Sequence, residues 1–191
     1  YEPLVKLKDT SEATLYDYET VLEQYYFKNA WTRQRKALDK KEKEIYTRDC
    51  GMKIDLLNLN WIYRAKKYYH MLPPDIYLMT IPIHYRIKVD EFKALVEAPT
   101  VDQFTQLLAN TYYENRFHAM QRSEGMEQFY KACIHGMYLS DRRRNPYSLA
   151  TVNTYLFLKE EEINRLTTAL ECIRYGLTPR ETLGYIGGVK K

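Results

Sequence analysis

An all-α fold is predicted, on three observations. Gly and Pro number only seven each in 191 residues, too few for the tight turns of a sandwich or barrel. Neither Asn-Gly nor Asp-Gly occurs, so the strongest short hairpin signal is missing. Apolar residues recur at steps of three and four along most of the chain, which is the period of a helix with one buried face.

The elements follow in order. Residues 1–8 read as an irregular lead-in, and Asp9 with Glu12 resembles a capping box opening a long helix. Leu15, Tyr18, Leu22 and Tyr25 form its apolar stripe, expected to run past Trp31 towards Leu38. Residues 36–51 are charged; they either continue as a solvated helix or break near Gly51. Ile54, Leu57, Trp61, Ala65, Tyr68 and Leu72 then make a seam, widened by Leu56, Leu59 and Ile62, so this helix is expected to be covered on more than one side. Pro73-Pro74 is expected to end it, since proline disfavours the α conformation in the residue before it.

A short helix over 75–80 follows, stopped by Pro82. Asp90 is expected to cap the helix after it, and Thr100 with Gln103 the next. Ser123-Glu124-Gly125 opens a helix carrying Met126, Phe129, Cys133 and Met137 on one face. Asn145-Pro146 is read as a cap with proline at the first helical position. The long helix from there is expected to reach Tyr175 and stop at Gly176, with a last helix capped by Thr178 and Glu181. Gly187-Gly188 and the final lysines read as a frayed end.

Two distant stretches repeat one order of events. A shift of 104 positions sets Leu59 on Ile163, Asn60 on Asn164, Ile62 on Leu166, Ala65 on Ala169 and Tyr69 on Ile173; one further residue brings Pro74 onto Pro179. Each stretch is an amphipathic helix, a break, and a short helix begun by proline. This order predicts two related helical lobes, 1–114 and 115–191.

Composition narrows function more by exclusion than by signature. The formal net charge is +4 with basic residues scattered, a weak excess for a nucleic-acid binder of this size. No stretch approaches the roughly 18–20 apolar residues of a membrane span, and no signal peptide is visible. Cys50, Cys133 and Cys172 stand in no metal-binding or redox pattern and read as buried thiols of a reducing compartment. There is no Walker-type loop, no GxGxxG and no HExxH. His70, His84, His118 and His135 lack ligand spacing, and Glu160-Glu161-Glu162 reads as a solvated helix face. No catalytic, cofactor or metal residue is predicted. Nineteen tyrosines suit thin helical layers, where each ring meets core and water together. Trp31 and Trp61 are expected as core anchors, and Asn60 and Asn164 as hydrogen-bonding groups across helix contacts.

The run IDLLNLNWIYRAKKYY over 54–69, followed by LPPDIYLMTIPIHYRI, resembles the long-helix signature and break of the C-subunit family of V-type/A-type ATP synthases, whose eukaryotic vacuolar member is called the d subunit. LLANTYY over 107–113 is similar to that family's inter-lobe stretch, and FLKEEEINRLTTALECIRYGLTPRETLGYI over 157–186 to its closing segment. The resemblance implies a funnel-shaped molecule of three helical lobes about a pseudo-threefold axis. Two lobes would be present here, and a chain opening on Tyr1 without the family's N-terminal segment is expected to be a fragment.

The resemblance further implies a non-catalytic rotor component on the cytoplasmic face of the membrane. It would join the D–F axle to the proteolipid ring and support proton or sodium transport, with no cofactor, nucleic acid or small-molecule substrate. Arg142, Arg143, Arg144 and Tyr147, a basic loop before a long helix, are the candidate partner interface. A helical nucleic-acid-binding or scaffold protein is the alternative; it predicts a continuous positive face and binding that weakens steeply with salt.

Overall fold

The computed structural model describes residues 2–8, 13–115 and 125–186. Among these the regular structure is entirely helical, in agreement with the predicted class. By packing, the chain divides into two compact units, 1–137 and 138–191. That division follows density of contact, whereas the lobes predicted at 1–114 and 115–191 follow repetition of sequence order.

In the first unit, the expected irregular lead-in is helical: α1 spans Glu2–Lys8. Asp9 and Glu12 lie outside the described residues. Helix α2, Leu15–Asn29, opens instead on Thr14, whose hydroxyl accepts from Asp17 N while the Asp17 carboxylate accepts from Thr14 N at 2.8 Å. This is a complete capping box, a little further along the chain than the pair the sequence favoured. Helix α2 does not run unbroken to Leu38. It passes into a π-helical stretch, Ala30–Gln34, and a single turn α3, Arg35–Ala37. Its stripe is only partly covered, with Leu15 and Leu22 exposed.

Helix α4, Lys40–Arg64, is the centre of this unit. Asp39 caps it by accepting from Glu42 N at 2.9 Å. The charged stretch therefore belongs to the helix, which continues through Gly51. A Cβ on Gly51 would lie 2.5 Å from the Tyr85 ring, so the glycine permits close approach and does not end the helix. Ile54, Leu56, Leu59, Ile62 and Ala65 are all essentially inaccessible. The deepest positions include the three that sequence reading treated as widening the seam, while Tyr68 and Leu72 are exposed. The buried residues of α4 spread over more than half of its circumference, wider than a single apolar stripe.

The end of α4 comes earlier than the prolines. A second π-helical stretch, Ala65–Tyr69, closes on His70 in the left-handed region at φ 49°, and Met71 N reaches back to Ala65 O at 3.1 Å. Such a reverse bond satisfies carbonyls that a helix end leaves open. Pro73 then occupies the first turn of α5, Pro73–Met79, where its missing N–H costs nothing. Helix α6 spans Val89–Glu97. Its N-terminal boundary is Lys88, whose N–H donates to Glu91 at 2.9 Å, and Asp90 lies inside the first turn. Thr100 caps α7, Val101–Leu108, as expected, accepting from Gln103 N at 3.2 Å.

Helix α8, Met126–Arg144, follows Gly125, which has φ +89°; Ser123 and Glu124 lie outside the described residues. Met126, Phe129, Cys133 and Met137 are buried, as their spacing predicted.

In the second unit, α8 ends and α9, Leu149–Arg174, begins on Ser148, whose hydroxyl accepts from Ala150 N at 3.2 Å. Asn145 is not the cap: its N–H closes the end of α8 on Asp141 O at 2.9 Å. Buried Thr154 shares its hydroxyl proton between Tyr138 O at 2.8 Å and Ala150 O at 2.6 Å. The Tyr138 and Phe157 rings lie 4.9 Å apart. Gly176, at φ 72°, ends α9 as read from sequence. Thr178, Pro179 and Glu181 start α10, Pro179–Tyr185, with the expected capping box. Gly187 and Gly188 lie outside the described residues.

Candidate functional site

The four candidate interface residues fall in one short stretch of the second unit. Arg142, Arg143 and Arg144 form the last turn of α8, where cations complement the partial negative charge of a helix C-terminus. All three are exposed, and Arg143 Nε donates to Leu139 O at 3.3 Å, which holds that guanidinium against its own helix. Tyr147, in the connection to α9, is 95% exposed. A ring so uncovered contributes nothing to its own unit's core and is available to a neighbour.

The first unit contains a polar cluster that sequence reading did not single out. Asp55, on α4, is 2% exposed. Its carboxylate accepts from Tyr85 N at 3.1 Å, Arg86 N at 2.7 Å, Ile87 N at 3.3 Å and the Tyr113 hydroxyl at 3.2 Å. One side chain thereby fastens the irregular stretch between α5 and α6, and the segment after α7, to the central helix. Burial pushes the Asp55 carboxyl above the usual range, against the pull of its three backbone donors and Tyr113. Burial, with the neighbouring carboxylate, raises the Tyr113 phenol, keeping it a donor. Burial lowers His84, with Asp55 acting in the opposite direction. The sequence signal for Asp55 was available: a lone carboxylate inside the apolar run Ile54-Asp55-Leu56.

Asn58 is the second missed group. It donates to Ile81 O and accepts from Ile81 N, both at 2.9 Å. The expectation for Asn60 and Asn164 is not met. Asn60 Oδ1 is buried without a partner, and Asn164 is exposed. Lys66 donates to Val96 O at 2.6 Å and Ala98 O at 2.5 Å, so its ammonium closes the C-terminus of α6. Burial lowers its pKa. Gln24 ties α2 to the end of α5 through Leu78 O at 2.6 Å and Thr80 O at 3.1 Å. The carboxylate, amide and ammonium are each spent on backbone groups.

An apolar cleft of about 550 Å³ in the same unit is lined by Tyr16, Trp61, Ala65, Tyr69 and Met79 among others. Asp55 does not line it. Trp31 and Trp61 are half-buried, so the expected core anchors sit at the core's margin. None of the three cysteines is in a disulfide; Cys133 and Cys172 are buried and Cys50 half-buried. His70 is exposed, His84 and His135 are half-buried, and His118 lies outside the described residues. Among the described residues no group of three or more His, Cys, Asp and Glu side chains is placed to hold a metal ion.

Long helices, with buried polar side chains that hold backbone segments in place, define an all-helical architecture. The profile of the ATP synthase (C/AC39) subunit family matches residues 1–185, and the chain belongs to that family. Searches of curated proteins and of solved structures each gave no match.

Proposed function

We propose that this chain is a non-catalytic central-stalk component of a V-type/A-type ATP synthase. It joins the D–F axle of the headpiece to the membrane proteolipid ring, rotates with them, and so supports proton or sodium transport. Family membership over residues 1–185 carries this reading. Torque transmission needs stiff elements, and a 25-residue α4 fastened by Asp55, Asn58 and Lys66 supplies one. Among the described residues no helix is long and apolar enough to cross a membrane; the proposed attachment is through the complex, on its cytoplasmic face.

Within that role, Arg142, Arg143, Arg144 and Tyr147 are proposed to meet an acidic partner surface. Exposed guanidiniums form paired, reversible contacts that set partner choice more than affinity. The two lobes, 1–114 and 115–191, are proposed as related units of the molecule.

The experiment is affinity purification of the tagged protein from native membranes. Axle and ring proteins are expected to co-purify, and charge reversal at all three arginines is expected to lower their recovery several-fold. Recovery of neither would end the rotor reading, and recovery of nucleic acid in their place would favour the alternative. Unchanged recovery after charge reversal would remove the arginine stretch from the interface.

A further inference from the structure

The backbone between α5 and α6 is clasped to α4 at two places. Ile81 exchanges two hydrogen bonds with Asn58, and the N–H groups of Tyr85, Arg86 and Ile87 converge on Asp55. His84 stands between these clasps, directly before the amides that Asp55 receives. Its ring centroid lies 4.6 Å from that of Phe92 on α6. Its Nδ1 is buried and meets no hydrogen-bond partner among the described residues.

A neutral imidazole with its proton on Nε2 leaves only a bare lone pair at that nitrogen. An imidazolium carries an N–H on both nitrogens, so charging the ring in place creates a buried donor with no acceptor. From this geometry we infer that His84 is an acid-sensitive release for the connection between α5 and α6. Charging it turns the ring out to water and draws Tyr85, Arg86 and Ile87 off Asp55. The carboxylate is not free to receive the new donor in place. Its two oxygens already accept from three N–H groups and the Tyr113 hydroxyl, and a carboxylate has about four acceptor sites.

The other charged groups around this stretch have partners of their own. On α6, Glu91 accepts from Lys88 N at 2.9 Å and Glu97 from the Tyr77 hydroxyl at 3.5 Å. The Arg86 guanidinium lies over the rings of Tyr85 and Tyr112, at 4.8 and 4.9 Å. Asp55 on α4 is the carboxylate whose field reaches His84, and burial outweighs it, lowering His84 below its ordinary value of 6.5. Stability from a group lowered in this way is present above 6.5 and is lost as pH falls towards the folded value, because the opened chain takes up the proton more readily. Asp55, raised by burial, acts with the opposite sign, so loosening on acidification does not come from it. The release lies within the first unit and does not rest on the rotor reading.

The test is amide exchange of the full 191-residue chain at about pH 7.5 and about pH 5.5, each rate divided by that of an unstructured amide at the same pH. An exposed imidazole is about one-tenth charged at the first pH and about nine-tenths at the second, so an opening that frees His84 gains about tenfold. Protection of Arg86 and Ile87 is expected to fall by that factor, while the amides of α7 keep theirs. His84→Gln and His84→Phe are each expected to remove the fall. In the parent, the His84 ring followed by NMR is expected to titrate below 6.5. A ring that titrates at or above 6.5, protection that does not fall, an equal fall in α7, or a fall that both variants retain would overturn the inference.

Discussion

Replacing Asp55 by Ala is the sharpest test of how the first unit is held together. Three backbone N–H groups and the Tyr113 hydroxyl would lose their acceptor. Each buried donor left unsatisfied costs about 1–3 kcal/mol, while relief from burying a carboxylate offsets part of the sum. A net loss of about 3–5 kcal/mol is expected. With a urea m-value near 2 kcal/mol/M for a unit of this size, the midpoint should fall by roughly 1.5–2.5 M. Both tryptophans, Trp31 and Trp61, lie in the first unit, so intrinsic fluorescence follows its unfolding. Tyr113→Phe removes one of the four donors together with its need for a partner and should cost about 1 kcal/mol. An Asp55→Ala midpoint within 0.3 M of the parent, roughly 0.6 kcal/mol at this slope, would refute the view that this carboxylate fastens the unit.

The pH dependence has a definite sign. Burial raises Asp55 above 3.8 in the folded chain, so the folded state holds its proton more firmly. This group's contribution is therefore present in full below 3.8 and declines as pH rises through the raised value. The urea-midpoint difference between the parent and Asp55→Asn should shrink across that window; a difference that grows with pH would contradict the balance of burial over hydrogen bonding. Gly51→Ala should lower stability by about 2 kcal/mol despite alanine's better helix propensity, because its Cβ meets Tyr85 at 2.5 Å; thermal melting measures this. Lys66→Met should cost about 1–2 kcal/mol and loosen the end of α6, seen as faster amide exchange over 94–98. Thr154→Val should cost about 1 kcal/mol, read as faster exchange in α9.

Helix class, the course of α7 and α10, the buried face of α8 and the stop at Gly176 were legible because each depends on residues within one or two turns of each other. A Thr-x-x-Gln or Thr-Pro-x-Glu cap and a glycine after a periodic stretch are local devices. The errors at α1, at the starts of α2 and α9 and at the end of α4 were choices among several competent local signals. Thr14 and Asp17 compete with Asp9 and Glu12; Ser148 competes with Asn145. His70 in a left-handed conformation ends α4 before the prolines do.

Tertiary structure decided what no spacing encodes. Ile62 and Leu166 are aligned by the internal repeat, yet one is inaccessible and the other 59% exposed, because burial depends on what lies across from a helix. Asp55, Asn58 and Lys66 bind groups that lie 23–58 residues away along the chain, so their roles arise only when chain folding brings carbonyls and amides to them. The sequence alone determined that the chain is helical and to which family it belongs, since periodicity and capping act over a few residues and family motifs are strings. Which carboxylate is buried and which apolar face is left uncovered are properties of contacts between distant segments, and those exist only in the folded chain.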